Sequence, residues 1–335
     1  MSKKTNISSI DREQLVISSL KNSYGIDVIN LISLPLGADA NALVYKVQAP
    51  DQAAYFVKLK RGQHDISVNL QLLFHDAGIK EIIAPIKTLN KQPKLYVNDF
   101  TLIVYPFIDG HDGFSQKLTD DQWITFGKAL KSIHQFQLPI SISPLIKQEV
   151  YSPQWRDKAR SIYEGNRHVI PSDEITSKFL ASLKKHKSVI LRLVERAEKL
   201  SPVIQRQAVD FVLCHSDIHA GNVLLSTDDD LYIIDWDEPI MAPKERDLMF
   251  IGGGIGNVWN NKREIKLFYT GYGKTEINKN FIDYYRCERI IEDVVEYYQE
   301  LVSESVGYKN RLTSYNHFVA MFEPKGVVDI ALETD

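Results

Sequence analysis

The stretch between Leu213 and Asp237 limits this chain more than any other. His215-Ser216-Asp217-Ile218-His219-Ala220-Gly221-Asn222 runs directly into the apolar segment Val223-Leu224-Leu225. A second apolar run, Leu231 to Ile234, follows the turn Thr227-Asp228-Asp229-Asp230 and delivers Asp235, Trp236 and Asp237. Two strands this short, bounded by turn residues, predict a tight hairpin with oxygen-bearing side chains at its outer ends. That pattern suits phosphoryl transfer, which asks for little covalent chemistry. An acceptor hydroxyl must lie in line, one group must take its proton, and cations must hold the triphosphate charge. Asp217 is expected to orient the hydroxyl and accept the proton. Asn222 offers a neutral oxygen and Asp235 a charged one to Mg²⁺, a hard ion that needs few protein ligands beside water and phosphate. His215 is expected to be structural, bonding backbone of the loop that carries Asp235. His219 either lines the core or lies near the phosphates, and the sequence does not separate the two.

Other chemistries fit these residues less well. His215 and His219 have the spacing of metal ligands on a helix, but Gly221 interrupts any helix and no third ligand is suggested. Cys214 cannot face its neighbour His215 as a nucleophile pair; it ends the apolar run Phe211-Val212-Leu213 and reads as a buried thiol.

Upstream, apolar periodicity predicts a helix over 11–24, strands over 29–34, 41–47 and 54–59, a helix over 65–75, and a hairpin of 94–97 with 101–105. Beyond Pro106 and Asp109-Gly110 the pattern turns helical, with Trp123, Phe126, Leu130, Ile133 and Phe136 on one face. Long helix-compatible stretches follow over 173–200 and 279–303. The expected class is α+β: a small antiparallel-sheet lobe over residues 1–107 for nucleotide, and a larger, mainly helical lobe over 108–335 for catalysis and acceptor. A chain of 335 residues fits two such bodies, since a single core usually divides above about 250 residues.

The nucleotide end is expected in the first part. Gly37, Asp39 and Asn41 lie between two strands, where a turn can aim backbone N–H groups at phosphate. No G-x-x-x-x-G-K-[ST] motif is present. Lys58 stands inside the apolar strand Tyr55-Phe56-Val57-Lys58-Leu59, where an unpaired ammonium would be costly, and clamping the α- and β-phosphates removes that cost. Residues 103–107, with Tyr105 and Phe107, would place backbone groups beside the base, and Ile234 would cover one of its faces. The formal net charge of −3 argues against nucleic acid as a partner. No apolar run approaches the ~18 residues of a membrane span. The opening Met1-Ser2-Lys3-Lys4 lacks the apolar core of a secretory signal, and two cysteines make no disulfide framework. A cytoplasmic enzyme without an obligate protein partner is expected.

His215 to Asn222 with Ile234-Asp235-Trp236-Asp237, preceded by Lys58 and by Phe126-Gly127-Lys128-Ala129-Leu130-Lys131-Ser132-Ile133-His134, resembles the aminoglycoside phosphotransferase family. That family lies within the protein-kinase-like group that includes the choline kinases. The resemblance covers essentially the whole chain and implies a two-lobed kinase-like fold, ATP and Mg²⁺ as cofactors, Asp217 as catalytic residue, Asn222 and Asp235 as metal ligands, and Lys58 on phosphate. Tyr105 to Ile108, Cys214 to Leu224 and Asp235 to Gly254 resemble more narrowly the branch that phosphorylates the 9-hydroxyl of the aminocyclitol antibiotic spectinomycin. One departure is visible: 59–80 contain no Glu to pair with Lys58, and Asp65 is the favoured substitute.

A cationic acceptor calls for carboxylates and aromatic faces. Glu238, Asp283, Glu288 and Glu292 are the acids expected around it, with Trp259 as a ring platform. The same features would suit choline, which binds aromatic faces. A methylthioribose-type sugar is a further alternative, and a non-catalytic scaffold built on a kinase fold is the alternative outside enzymes.

Overall fold

Val57 and Leu59 are fully buried on one face of a strand, so the strand's period of two sends Lys58 and Lys60 to the opposite face. The rest of the sheet is built around that choice. In this computed structural model, which describes residues 9–34, 42–62, 65–165, 170–302 and 308–333, α1 (Ser9–Ser19) continues as a π turn to Tyr24 and stops at Gly25, left-handed at φ 70°. Strands β1 (Asn30–Leu34), β2 (Ala42–Gln48) and β3 (Ala54–Arg61), helix α2 (Asp65–Asp76), and strands β4 (Leu95–Val97) and β5 (Phe100–Pro106) follow. The five strands form one antiparallel sheet in the order β1-β2-β3-β5-β4, with Lys58 directly opposite Ile103. Val16 of α1 and Leu20 of the π turn join Tyr45, Val47, Val57, Leu59, Leu102 and Val104 in one core on the face away from Lys58.

Farther along come β6 (Gly110–Asp112), α3 (Asp120–His134), the two-residue β7 (Lys147–Gln148), α4 (Gln154–Gly165), α5 (Glu174–Lys185) and α6 (Lys187–Gln205). Then β8 (Val212–Cys214), β9 (Val223–Ser226), β10 (Leu231–Ile233) and β11 (Ile240–Ala242) lead to α7 (Glu245–Leu248), α8 (Lys262–Tyr272), α9 (Lys279–Val302), α10 (Tyr308–Ala320) and α11 (Val327–Leu332). The chain forms two compact units: Met1–Gln116 with Pro139–Leu145 and Val223–Glu238, and the remaining segments. Within the first, the hairpin β9–β10 takes β6 as its third strand.

The second unit is helical. Phe281, Tyr285, Ile290, Ile291, Val294 and Val295 bury the inner face of α9, around which α4, α5, α6, α7, α10 and α11 gather. Helices α3 and α8 meet most closely. A side chain at Gly127 would overlap the Phe268 carbonyl oxygen, and one at Gly271 the Ile124 carbonyl oxygen, so only hydrogen fits at either place. β8 pairs antiparallel with β11, and β7 adds a parallel edge. The expected helices over 65–75 and 279–303 and the strands over 54–59 and 223–225 stand where periodicity puts them. The stretch 173–200 is two helices, parted at His186. Among the described residues no helix is long and apolar enough to cross a membrane.

Candidate active site

In the second unit the site begins with a bend. β8 delivers His215 and Ser216 into a turn whose two successive amides point at one carboxylate: Asp247 Oδ2 accepts from His215 N at 2.9 Å and Oδ1 from Ser216 N at 2.7 Å. That convergence holds Ser216 at φ 75°, a left-handed conformation that a residue with a side chain rarely adopts. Asp247 is fully buried. Burial opposes its charge, but His134, whose Nε2 lies 3.0 Å from Oδ2, and then His215 and its amide keep the carboxyl below the usual range. His134 Nδ1 meets the Tyr272 hydroxyl at 2.8 Å. His134, Cys214 and Asp247 lie close enough to hold a metal. Both imidazole nitrogens and both carboxylate oxygens already have protein partners, so this cluster is a brace for the bend.

Beyond the bend, His215 Nδ1 accepts from the Asp217 amide at 3.3 Å and His219 Nδ1 from the Gly221 amide at 3.0 Å. Asn222 Nδ2 donates to the Asp217 carbonyl at 2.8 Å, which orients Oδ1 of that amide as the oxygen left for a cation. Asp217 itself meets Arg289 Nη1 through Oδ1 at 2.5 Å, and His219 Nε2 lies 3.5 Å from Oδ2. Its burial works against ionisation, yet Arg289 first and His219 second hold the carboxyl far below the ordinary carboxylate range. Asp217 is therefore an ionised acceptor at neutral pH. Arg289, absent from the sequence reading, is the strongest partner the fold adds.

In the first unit Lys58 Nζ lies 2.9 Å from Asp235 Oδ1 and 2.8 Å from Asp237 Oδ2. Lys60, two residues on and on the same face of β3, places its Nζ 2.6 Å from the same Asp237 oxygen. Burial lowers the affinity of Lys58 for its proton, but Asp235 and Asp237 outweigh it and raise the pKa. Asp237 is held below its usual value against burial by Lys58 and then Lys60. The hairpin that carries both acids is anchored by Trp236, which is fully buried, donates from Nε1 to the Ile233 carbonyl at 3.1 Å and packs 4.9 Å from Phe74 of α2. Asp235 sits at φ 62°, turned out of the strand. The side chain of Asp65, the expected partner of Lys58, lies outside the described residues; among the described residues Asp235 and Asp237 hold the ammonium.

Asn222 and Asp235 offer the hard oxygen donors that Mg²⁺ prefers, and at Asp235 the Lys58 ammonium already stands where positive charge is favoured. Gly37, Asp39 and Asn41 lie outside the described residues. Tyr105 shares the Lys58 face of the sheet and binds Gln71 Oε1 through its hydroxyl at 2.7 Å. The Phe107 amide is committed to the Ala54 carbonyl at 3.0 Å, and its ring is covered by Lys46 Nζ at 3.8 Å from the centroid. Contact with a base at this position is therefore left to its carbonyl and ring. Ile234 is half-buried.

Three expected acceptor contacts are corrected by the packing. Trp259 is 5% exposed, wedged at 5.4 Å from Trp123 and 5.3 Å from Phe126, so it is core and not a platform. Asp283 is buried and pairs with Arg196 at 2.9 Å and Lys279 at 3.0 Å. Glu288 is buried with its Oε1 2.8 Å from Arg156 Nε, and burial pushes its carboxyl up to about 7 despite that guanidinium. Both acids tie α9 to its neighbours. Glu292 remains half-buried and Glu238 exposed. Nothing local in the sequence distinguishes these five residues; partners far along the chain do.

The family model for phosphotransferase enzymes matches residues 33–251. No curated protein matches the chain. Among solved structures, spectinomycin phosphotransferase APH(9)-Ia in complex with ADP and spectinomycin is 47% identical, with 95% of this chain and 97% of that one covered and a TM-score of 0.89. An AMP-bound complex of spectinomycin phosphotransferase APH(9)-Ia is 44% identical over 96% of this chain and 98% of that one, at a TM-score of 0.86. A choline kinase from Streptococcus pneumoniae, 16% identical over 95% of this chain and 99% of that one at a TM-score of 0.58, shares the fold alone. With its antiparallel sheet, its helical second unit and a family match over most of its length, the chain has a protein-kinase-like fold and belongs to the phosphotransferase enzyme family.

Proposed function

We propose that this enzyme transfers the γ-phosphate of ATP to a hydroxyl of an aminocyclitol antibiotic, the 9-hydroxyl of spectinomycin, and so confers resistance to it. The observation that carries the reading is the 47% identity, over 95% of the chain, to a phosphotransferase whose structure holds ADP and spectinomycin. The functional division follows residues 1–107 for nucleotide and 108–335 for catalysis and acceptor. Dependence on ATP places the enzyme in the cytoplasm, with no nucleic acid, membrane or obligate protein partner in its reaction.

Asp217, held ionised, orients the acceptor hydroxyl and accepts its proton as the oxygen attacks the γ-phosphorus. Lys58 neutralises the α- and β-phosphates, with Asp237 and Lys60 fixing its direction. Asn222 and Asp235 would hold Mg²⁺, which when bound would offset the charge of the triphosphate. Tyr105, Phe107 and Ile234 border the base, and Gly37, Asp39 and Asn41 contact the phosphates. Glu238 and Glu292 supply negative charge toward the acceptor amines.

Purified protein with magnesium-ATP and, in turn, spectinomycin, kanamycin, choline and methylthioribose tests the reading. Phosphorylated spectinomycin is the expected product, and transfer only to another member refutes the acceptor. Asp217→Asn should lower kcat by about 10²–10⁴-fold, the usual worth of a general base, while nucleotide binding by calorimetry persists. Undiminished turnover would remove Asp217 from the mechanism.

A further inference from the structure

The Arg289 guanidinium is fixed on several sides, while the carboxylate it touches stays open. Its Nη1 lies 2.5 Å from Asp217 Oδ1, its Nε is held at 2.8 Å by Asp293 Oδ1 one turn along α9, and its carbon centre lies 6.0 Å from the Phe250 ring. Phe250 is buried. The Arg289 side chain is 14% exposed, against 38% for Asp217. Glu292, Asp293 and Glu296 are the acids nearest the guanidinium in charge terms, and burial pushes the Asp293 carboxyl up to about 6.

We infer that Arg289 couples ATP turnover to the acceptor by standing on Oδ1 of Asp217 and damping that carboxylate as a base toward water. The inference rests on the phosphotransferase reading above. In the side reaction it restrains, a water oxygen bonds to the γ-phosphorus while the bond from that phosphorus to the β–γ bridging oxygen breaks. ADP leaves with the electron pair of that bond, and the water proton passes to Asp217 and on to solvent, giving ADP, inorganic phosphate and a proton. A carboxylate oxygen that already accepts a charge-assisted hydrogen bond is a poorer proton acceptor. Water, held by few contacts, depends on the full strength of the base. A bound acceptor is held by many contacts and gains most of its rate from position. Arg289 thus acts as a positioning residue that favours the oriented hydroxyl over the unoriented one.

The test measures two rates in wild type, Arg289→Gln and Arg289→Lys with magnesium-ATP: ADP release without acceptor, and phosphate transfer to spectinomycin. Arg289→Gln should raise acceptor-independent ADP release roughly tenfold, a modest part of what a general base contributes. KM for ATP should stay unchanged, so the ratio of hydrolysis to transfer rises. Arg289→Lys, which keeps the charge, should restore most of the coupling. Parallel loss of both rates would mark a structural role and overturn the inference, as would unchanged ADP release. If Arg289→Gln does not fold, Asp293→Asn, which loosens the guanidinium, should raise ADP release in the same direction; no rise there also overturns it. Wild-type protein that hydrolyses ATP but phosphorylates no member of the panel refutes the phosphotransferase reading itself, a result separable from a change in the variant alone.

Discussion

Lys58 shows what one residue in a strand can and cannot reveal. Its place between Val57 and Leu59 marks a cation on a face opposite a core, because neighbouring side chains in a strand point apart. Its partner was not legible. The family habit directs attention to an acid on the following helix, whereas Asp235 and Asp237 reach Nζ from a hairpin 177 and 179 positions away. Lys60 then shares Asp237, so one carboxylate steadies two ammonium groups. Asp237→Asn should weaken that hold by about 1.4 kcal/mol, within the range for charged hydrogen bonds, and raise KM for ATP roughly tenfold with a smaller change in kcat. Steady-state kinetics with ATP varied checks it, and an unchanged KM would show that Asp235 alone suffices to hold Lys58. Asp247 and Arg289 escaped the sequence reading for the same reason: an isolated Asp or Arg on a polar helix looks solvated until its partners are known.

Among elements, those with a strong apolar stripe were legible and those held by polar anchors were not. α9 repeats apolar residues at helical spacing through Ile290, Ile291, Val294 and Val295, and its bounds fall within a residue of expectation. α4 has few apolar residues beyond Trp155, Ala159 and Ile162; it is tied down by Arg156, which reaches the Tyr151 and Ser152 carbonyls at 3.0 and 3.1 Å. α8 depends on the absence of side chains at Gly127 and Gly271, a property visible only when α3 lies against it. Gly271→Ala should force these helices apart and cost about 1–3 kcal/mol, the usual range for overpacking. A lowered urea midpoint with unaltered slope is the expected reading. An unchanged midpoint would show that the helices can separate freely. α3 also begins with a capping box, in which Thr119 Oγ1 accepts from Gln122 N at 3.2 Å and Gln122 Oε1 from Thr119 N at 3.0 Å.

For the whole molecule, buried acids set how stability follows pH. Glu288 has a folded value near 7 and an ordinary value near 4.5. Below both, it is neutral in either state; above both, the folded chain alone bears a buried charge, so its contribution falls as pH rises between them. Stability of wild type minus that of Glu288→Gln should decline by on the order of 1–3 kcal/mol from pH 5 to 8, and denaturant melts at several pH values measure it. A flat difference would mean that Arg156 fully offsets the burial. The short-range pattern of the chain by itself determined the α+β class and the hairpin that ends in Asp235, and it singled out Asp217, Asn222 and Lys58 as the residues to propose for the chemistry, because strand alternation, turns and side-chain donor types are local properties. Only the tertiary structure decided that Asp237 partners Lys58, that Asp247 gathers the His215 and Ser216 amides, that Arg289 stands on Asp217, and that Trp259, Asp283 and Glu288 serve the core. Each of those depends on which distant side chain shares a buried volume, and burial, which sets the cost of leaving a charge unpaired, exists only once the chain has folded.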